Sequence, residues 1–425
     1  MGFQFWFALV IFAVMYGLII AIPKRKVFFA LGAAALFLIT GMLTPGQAFH
    51  AINWNALMMI AGTMVLVDFF IDSKMPARIA DLLLDKAKNV CAVIILMSLF
   101  AGIISAFIDN VATVLMIAPV AIVVCRKLNI SPVPMLLSIA VSSNLQGAAT
   151  LVGDTTSIML GAYAGMDFMQ FFWFHGRPGM FFAVELGALL TVPIMYILFR
   201  KFSQPVESRE KTPVKDFFPS VMLVLMVVLL ILVSFVKNKP DITNGVICMI
   251  LAAVTAVYEG ARAGSQEKVQ HALKSLDFQT LLLLTGLFVV IEGVSQAGII
   301  DAVADIIAGV GGHNLFLLYS VIVWVSVLIS AFIDNIPYVA TMLPVIRGLT
   351  SVMGIEPYLL YFGLLCGATL GGNITPIGAS ANITATGILN REGYEVSFKD
   401  FAKIGIPFTL TAVVAGYLFI WFVWR

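Results

Sequence analysis

The chain has 425 residues, of which 61% are hydrophobic and only 11% are charged, and its formal net charge is +2. Soluble domains carry roughly 25% charged residues, so this composition excludes a soluble globular class. Its long solid apolar runs indicate membrane helices, because the strands of a membrane barrel are short and alternate in polarity. We therefore predict an all-α polytopic membrane protein that lies in the lipid bilayer and binds no nucleic acid.

The chain begins with three predicted spans and an amphipathic stretch. The spans cover about residues 3–21, 27–42 and 56–70, and the amphipathic stretch covers residues 76–88. Basic residues 24–26 follow the first span, which is the wrong polarity for a cleaved signal peptide. The first span is therefore expected to stay in the membrane.

The next apolar run, residues 90–124, carries Asp109 and Asn110 near its centre. A single span needs about 20 residues, so this run predicts a re-entrant hairpin with the Asp–Asn pair at its tip. A charge at membrane depth is costly and is a functional-site hypothesis by default. Residues 135–162 are interrupted by polar, glycine-containing sequence and predict a discontinuous helix. A span at 179–199 ends the first predicted repeat, residues 1–202, and residues 203–216 form a predicted cytoplasmic linker.

The second predicted repeat, residues 217–425, follows the same plan. The sequence SAFIDNVATVLMIAP at residues 105–119 returns as SAFIDNIPYVATMLP at residues 330–344, an offset of 225 residues. A second hairpin is predicted at about 313–349 and a second broken helix at about 358–389. Each repeat has five crossings, because a re-entrant hairpin makes no net crossing. Five is an odd number, so the second repeat is expected to be inverted relative to the first.

The basic residues give an orientation. Of the 25 Lys and Arg residues, 20 fall on one predicted side and 5 on the other. The positive-inside rule makes the first side cytoplasmic and leaves both termini outside. We expect the chain in the plasma or inner membrane.

Hairpin tips and helix breaks expose backbone groups that protein or water must satisfy, and oxygen-bearing side chains there suit a hard cation. The candidate ion- or substrate-binding residues are Asp109, Asn110, Thr150, Gly153, Asp154, Thr155 and Thr156 in the first repeat, and Asp334, Asn335, Asn373, Thr375, Gly378, Ser380 and Asn382 in the second. Asp154 aligns with Ala379, so one carboxylate has no counterpart. We therefore expect the coupling cation in the first repeat, with sodium, if a metal ion binds, at Asp109, Asn110 and Asp154.

Three further expectations concern charge. Asp109 and Asp334 have an alternative role as N-caps of the outgoing hairpin arms. Asp68 and Glu292 lie near helix ends, where an interfacial role is expected. No Lys or Arg is predicted at membrane depth, so an anionic substrate would depend on amides, helix dipoles and a co-bound cation.

The hairpin sequence with Asp-Asn, together with GAATLVGD and GGNITPIGASAN in the broken helices, resembles the ion transporter superfamily. The chain is most similar to the group with arsenite-efflux permeases, D-type sodium–proton antiporters and the melanosomal P protein, and more distantly to citrate transporters. The resemblance implies an elevator-type transporter that often forms a homodimer. Its site positions carry over to Asp109, Asn110, Asp334 and Asn335 at the tips, and to Gly153, Asp154, Gly371, Gly372, Asn373, Thr375 and Gly378 at the breaks.

We predict a secondary active transporter and not an enzyme. It is expected to be sodium- or proton-coupled, without another cofactor, and to move a small inorganic or organic ion, such as an arsenite-like oxyanion or a carboxylate, by alternating access. Sodium–proton antiport is the alternative. An intramembrane aspartyl protease, which needs two carboxylates around one water, and a passive channel are remote alternatives.

Overall fold

Twenty α-helices form most of the regular structure in the computed structural model, which describes residues 2–128, 130–206, 212–263, 266–311 and 314–425. We call residues 1–202 the first half and residues 217–425 the second half. The helices of the first half are α1 (Phe3–Ala21), α2 (Lys26–Ile39), α3 (Pro45–Ala51), α4 (Trp54–Asp72), α5 (Met75–Leu84), α6 (Val90–Ser105), α7 (Asn110–Lys127), α8 (Val133–Gly147), α9 (Thr155–Ala164) and α10 (Met180–Phe199). The helices of the second half are α11 (Phe218–Ser234), α12 (Thr243–Ala263), α13 (Gln266–Lys274), α14 (Phe278–Gln296), α15 (Ile299–Gly311), α16 (Leu315–Ser330), α17 (Asn335–Met353), α18 (Tyr358–Gly371), α19 (Ser380–Arg391) and α20 (Phe398–Trp424).

Short 3₁₀ turns and a small hairpin complete the described structure. The turns are Pro23–Arg25, Phe168–Phe171 and Gly372–Ile374. Strands β1 (Trp173–Phe174) and β2 (Arg177–Pro178) pair antiparallel, with Trp173 opposite Pro178.

Eight helices within the described ranges are long and apolar enough to cross a membrane, namely α1, α4, α7, α10, α12, α14, α17 and α20. Their 18 to 27 residues match the length that a bilayer core requires of a helix. Shorter apolar helices, α6, α11, α16 and α18, accompany them. The prediction of an all-α, multi-pass membrane protein is confirmed.

The helices are interrupted where the sequence contains Asp-Asn or glycine-rich polar segments. The chain leaves helical structure after Ser105 and after Ser330, and returns to it at Asn110 and Asn335. The predicted broken helices are interrupted at residues 148–154, between α8 and α9, and at residues 372–379, between α18 and α19. The predicted start of the second hairpin, residue 313, lies outside the described residues.

Helices of the first half pack against helices of the second half. Helix α9 contacts α17 and α18, whereas α19 contacts α7 and α8. Likewise α2 packs on α14, and α12 packs on α4. Glycine allows both of these close approaches: a Cβ at Gly62 would lie 2.5 Å from backbone of Cys248, and one at Gly286 would lie 2.9 Å from backbone of Ala30.

The predicted linker is fastened to the first half at both of its described ends. The backbone N–H of Val90 donates to the carbonyl of Gln204 at 3.1 Å. At the other end, the N–H of Thr212 donates to a carboxylate oxygen of Asp81 at 2.6 Å, and the N–H of Lys215 donates to the carbonyl of Ser73 at 2.9 Å. Linker residues 207–211 lie outside the described residues.

Candidate functional site

One cleft brings the two halves together at the starts of helices α7, α9, α17 and α19. Its volume is about 170 Å³. Six of the fourteen predicted site residues line it: Asp109, Asn110, Asp154, Thr155, Asn335 and Ser380. The other eight are not among its lining residues, so the structure separates the predicted set into a lining group and a remaining group.

Asp109 and Asp334 cap helices α7 and α17. We call the short non-helical segments before these helices, residues 106–109 and 331–334, the first and second tips. One oxygen of Asp109 accepts hydrogen bonds from the N–H groups of Val111 at 2.9 Å and Ala112 at 3.2 Å. Asp334 accepts from the N–H of Ile336 at 3.2 Å in the same way. Both aspartates therefore act as N-caps, and in each the second carboxylate oxygen is left for another partner.

The second oxygen distinguishes the two aspartates. In Asp334 it lies 2.5 Å from the ammonium of Lys26, the first residue of α2. Each side chain of this pair is about one-fifth exposed, at 21% and 20%. Asp109 forms no ion pair with any residue that the structure describes. Lys26 therefore reaches Asp334 from the basic segment that follows the first predicted span.

Thr150 and Thr375 hold each helix break against its neighbouring tip. The Thr150 hydroxyl donates to the carbonyl of Ala106, and the Thr375 hydroxyl donates to the carbonyl of Ala331. Both side chains are fully buried. These threonines therefore position the backbone of the tips and do not line the cleft.

Gly153 and Gly378 let the breaks approach the tips closely. A Cβ at Gly153 would lie 2.5 Å from the carbonyl oxygen of Ser105, and one at Gly378 would lie 2.7 Å from that of Ser330. Real Cβ atoms do not come so close to backbone oxygens. The two glycines are thus required for packing and carry no ligand of their own.

A chain of buried amides joins the first tip to the second break. The amide of Asn110 donates to the Oδ1 of Asn144 at 2.9 Å, and the amide of Asn144 donates to the Oδ1 of Asn373 at 3.1 Å. Asn373 in turn donates to the carbonyl of Val141 at 3.0 Å. Sequence reasoning missed Asn144, which lies inside a helix and whose partner is distant in the chain. Asn335 differs from Asn110, since its side chain makes no hydrogen bond to the described residues.

The start of α9 carries the buried carboxylate that has no counterpart. Asp154 is 3% exposed and accepts a hydrogen bond from the Thr156 hydroxyl at 2.6 Å. Thr156 also lies 3.0 Å from the hydroxyl of Thr369 in the second half. At the second break, the amide of Asn382 donates to the carbonyls of Gly372 and Thr375 at 3.0 and 3.1 Å. Its buried Oδ1 has no partner among the described residues.

Two further aspartates enlarge the negative charge of the cleft. Asp68, for which an interfacial role was expected, and Asp277 both line it. Asp68 lies 3.3 Å from the Nδ1 of His271, and Asp277 caps α14 by accepting from the N–H of Thr280 at 3.0 Å. With Asp109 and Asp154 the described lining has four carboxylates, and it contains no Lys, Arg or His. Such a lining raises the local concentration of cations.

Comparison with known proteins identifies the family. A sequence model described as citrate transporter matches residues 16–367, which is more than half of the chain. An uncharacterized transporter of Mycobacterium bovis is 30% identical over 428 residues, covering 97% of each chain. The P protein of Homo sapiens is 27% identical over 502 residues, covering 97% of this chain and 59% of its own length.

Two solved structures share the fold. The YdaH transporter of Alcanivorax borkumensis superposes with a TM-score of 0.60 at 14% identity, covering 98% of this chain and 96% of its own. MtrF of Neisseria gonorrhoeae superposes with a TM-score of 0.61 at 16% identity, covering 92% and 84%. At these identities the likeness concerns the fold alone.

The predicted resemblance to the ion transporter superfamily is confirmed, with P protein among the relatives. The family is one of transporters and not of enzymes, as the sequence predicted, and the relative from Mycobacterium bovis is also described as a transporter. The chain is a multi-pass integral membrane transporter, and it belongs to the citrate transporter family.

Proposed function

We propose that the chain is a secondary active transporter coupled to sodium or protons, and that the transported ions pass through the cleft. One observation carries this proposal: Asp109 and Asp154 of the first half meet Asn335 and Ser380 of the second half in a single cleft. Carboxylates held within a membrane protein mark ion pathways and proton relays. A cleft built from elements of both halves also suits alternating access, in which one site opens to either side of the membrane in turn.

The coupling ion is assigned to Asp109, Asn110 and Asp154. Asp109 uses one oxygen as a cap, and Asp154 accepts from the Thr156 hydroxyl. Asn110 donates through its side-chain nitrogen, which leaves its side-chain oxygen, Oδ1, as a ligand. These are oxygen donors of the kind that a hard cation requires, and the carboxylates can carry a proton in its place.

Sodium–proton antiport is the second candidate, and the four carboxylates of the cleft favour it. An oxyanion or a carboxylate cargo entering this cleft would face the charges of Asp68, Asp109, Asp154 and Asp277 without a basic residue in the described lining. Such a cargo needs a co-bound cation. Exchange of sodium for protons needs only carboxylates that bind one or the other.

The architecture that we propose is a pair of inverted repeats, residues 1–202 and 217–425, whose re-entrant hairpins and broken helices move as an elevator. Matching contacts support the repeats, since Thr150 and Thr375 bond to Ala106 and Ala331 in the same manner. The 20 to 5 distribution of basic residues supports two outside termini. A homodimer in the plasma or inner membrane follows from the resemblance, and chemical cross-linking in the membrane tests it.

Flux into proteoliposomes tests the function. Sodium, protons, arsenite, antimonite, citrate and phosphate are offered in turn, with imposed sodium and proton gradients. We expect at least one of them to move only when a sodium or proton gradient drives it, and to stop moving in Asp109→Asn. Flux that continues without any gradient-dependent coupling would identify a passive channel instead.

A further inference from the structure

The two tips differ at one charged contact. Asp109 and Asp334 occupy equivalent positions in the repeated sequence, and each uses one oxygen to cap its helix. Only Asp334 has a cation beside its other oxygen, the Lys26 ammonium at 2.5 Å. The described residues give Asp109 no basic partner, and its carboxylate faces the cleft.

Neighbouring contacts fix the position of Lys26. It begins α2, which packs on α14 through the close approach of Ala30 to Gly286. From α1, the Tyr16 hydroxyl donates to the carbonyl of Pro337 at 2.6 Å and contacts the Thr341 hydroxyl. Helices α1 and α2 thus hold the start of α17 from the side, so the ammonium is directed at Asp334 by the packing.

We propose that Lys26 is a resident cation: its ammonium takes the place beside Asp334 that an exchangeable coupling cation takes beside Asp109. This inference rests on the proposed function for the cation at Asp109. A tethered ammonium neutralises a carboxylate as a bound sodium ion does, but it cannot leave the protein. Coupling therefore passes through the first tip alone, although the sequence carries two Asp-Asn tips.

The chemistry of the pair supports this assignment. Two charges taken partly out of water compensate each other, and removing one partner leaves the other charge uncompensated. Asp334 is absent from the cleft lining, whereas Asn335 beside it is present. The second tip therefore offers the cleft an amide, and the first tip offers it a carboxylate.

Sodium-dependent thermal stability of the purified protein tests the proposal. Unfolding temperatures are measured in sodium chloride and in choline chloride at equal ionic strength. The variants are Lys26→Met, Asp109→Asn and their combination. The matched control is Lys24→Met, which also removes one positive charge. Lys24 lies two residues before Lys26, its side chain is exposed, and it forms no ion pair with any described residue.

We expect Lys26→Met/Asp109→Asn to gain stability in sodium, because sodium enters the vacated place beside Asp334. Adding Asp334→Asn should abolish that gain, and Lys24→Met should respond as the wild type does. No sodium-dependent shift in Lys26→Met/Asp109→Asn would overturn the proposal. The wild type and Asp109→Asn test the proposed function separately. A wild type that responds to neither sodium nor protons contradicts the proposed function, whatever the result for Lys26→Met.

A second measurement applies if Lys26→Met does not yield folded protein. Lys26→Met/Asp334→Asn removes both charges, so we expect it to fold and to unfold at a higher temperature than either single variant in choline. A double variant that is no more stable than the single variants would show that Lys26 and Asp334 do not compensate each other's charge. That result would overturn the proposal that Lys26 is a resident cation.

Discussion

Asn144 donates a hydrogen bond to Asn373 at 3.1 Å, directly across the boundary between the two halves of the chain. The same Asn144 accepts from Asn110 at the first tip. Its side chain and those of its two partners are buried, at 0 to 5% exposure. The first tip and the second break are therefore joined through the single amide of Asn144. A substitution of Asn144 removes hydrogen bonds from both Asn110 and Asn373.

Removing this amide should destabilise the protein and slow transport. Asn144→Ala leaves polar atoms of Asn110 and Asn373 without partners, and each such buried group costs about 1–3 kcal/mol. We expect a clear fall in the unfolding temperature together with reduced flux. The control is Ser138→Ala on the same helix, whose hydroxyl donates only to the carbonyl of Pro134 within the helix. Equal stability of the two variants would show that the amide chain contributes little.

Neutralising Asp109 should remove coupling without unfolding the protein. Asparagine caps a helix about as well as aspartate does, so Asp109→Asn preserves the contacts to Val111 and Ala112. We expect gradient-driven flux to fall to that of protein-free liposomes, while the unfolding temperature in choline stays near the wild-type value. Asp400→Asn serves as control, because that carboxylate is 48% exposed and pairs with Lys403 at the surface. Coupled flux at the wild-type rate in Asp109→Asn would refute the site assignment.

Asp154 provides an independent test of the first site. Asp154→Asn keeps an acceptor for the Thr156 hydroxyl but removes the charge. We expect the sodium concentration or pH that gives half-maximal flux to shift, because one of the two proposed carboxylate ligands has become neutral. Measurement of flux against sodium at several pH values shows the shift. An unchanged sodium and pH dependence would place the coupling ion elsewhere.

The glycines of the breaks should not tolerate a methyl group. Alanine at Gly153 would bring its Cβ to 2.5 Å from backbone oxygen, and overpacking of this kind costs typically about 1–3 kcal/mol. We expect Gly153→Ala and Gly378→Ala to unfold at lower temperatures than the wild type. Gly387→Ala on α19 is the matched control, since a Cβ there meets nothing within 4 Å. Its stability should be unchanged or slightly higher, as alanine favours helix.

Cysteine labelling tests the orientation of the chain. All four native cysteines are buried, so an introduced cysteine is read against a low background. Ser203→Cys, in the exposed start of the linker, should react only with reagent supplied from the cytoplasm. Lys237→Cys, exposed between α11 and α12, should react only from outside. The reverse pattern would invert the proposed topology.

The features that could be predicted from the sequence are those marked by a polar residue inside an apolar run. Asp109, Asp154 and Ser380 interrupt such runs, and all three line the cleft. Lys26 and Asn144 could not be assigned from the sequence. Lys26 is one of three consecutive basic residues, and its partner Asp334 is 308 positions away. Asn144 lies within a helix and meets Asn373 only because α8 packs close to the second break.

The duplicated sequence made part of the site harder to predict. At an offset of 225 residues Asn144 aligns with Thr369, so a comparison of the two halves showed no shared amide there. In the fold these two positions touch, since the amide of Asn144 donates to the carbonyl of Thr369 at 2.7 Å. The contact between Asn144 and Thr369 joins the two halves through residues of different types, so a search for identical residues does not find it.

The contact of α9 with α17 and α18 has a consequence for how the protein is made. A ribosome adds about 5–20 residues per second, so α18 follows α9 by about 10–40 s. During that interval the hydroxyl of Thr156 has no Thr369 to meet. The first half enters the bilayer with its functional end incomplete, and its final packing begins only when the last quarter of the chain arrives. Substitutions that disrupt the contacts of α17 or α18 with α9 should therefore lower the yield of inserted protein.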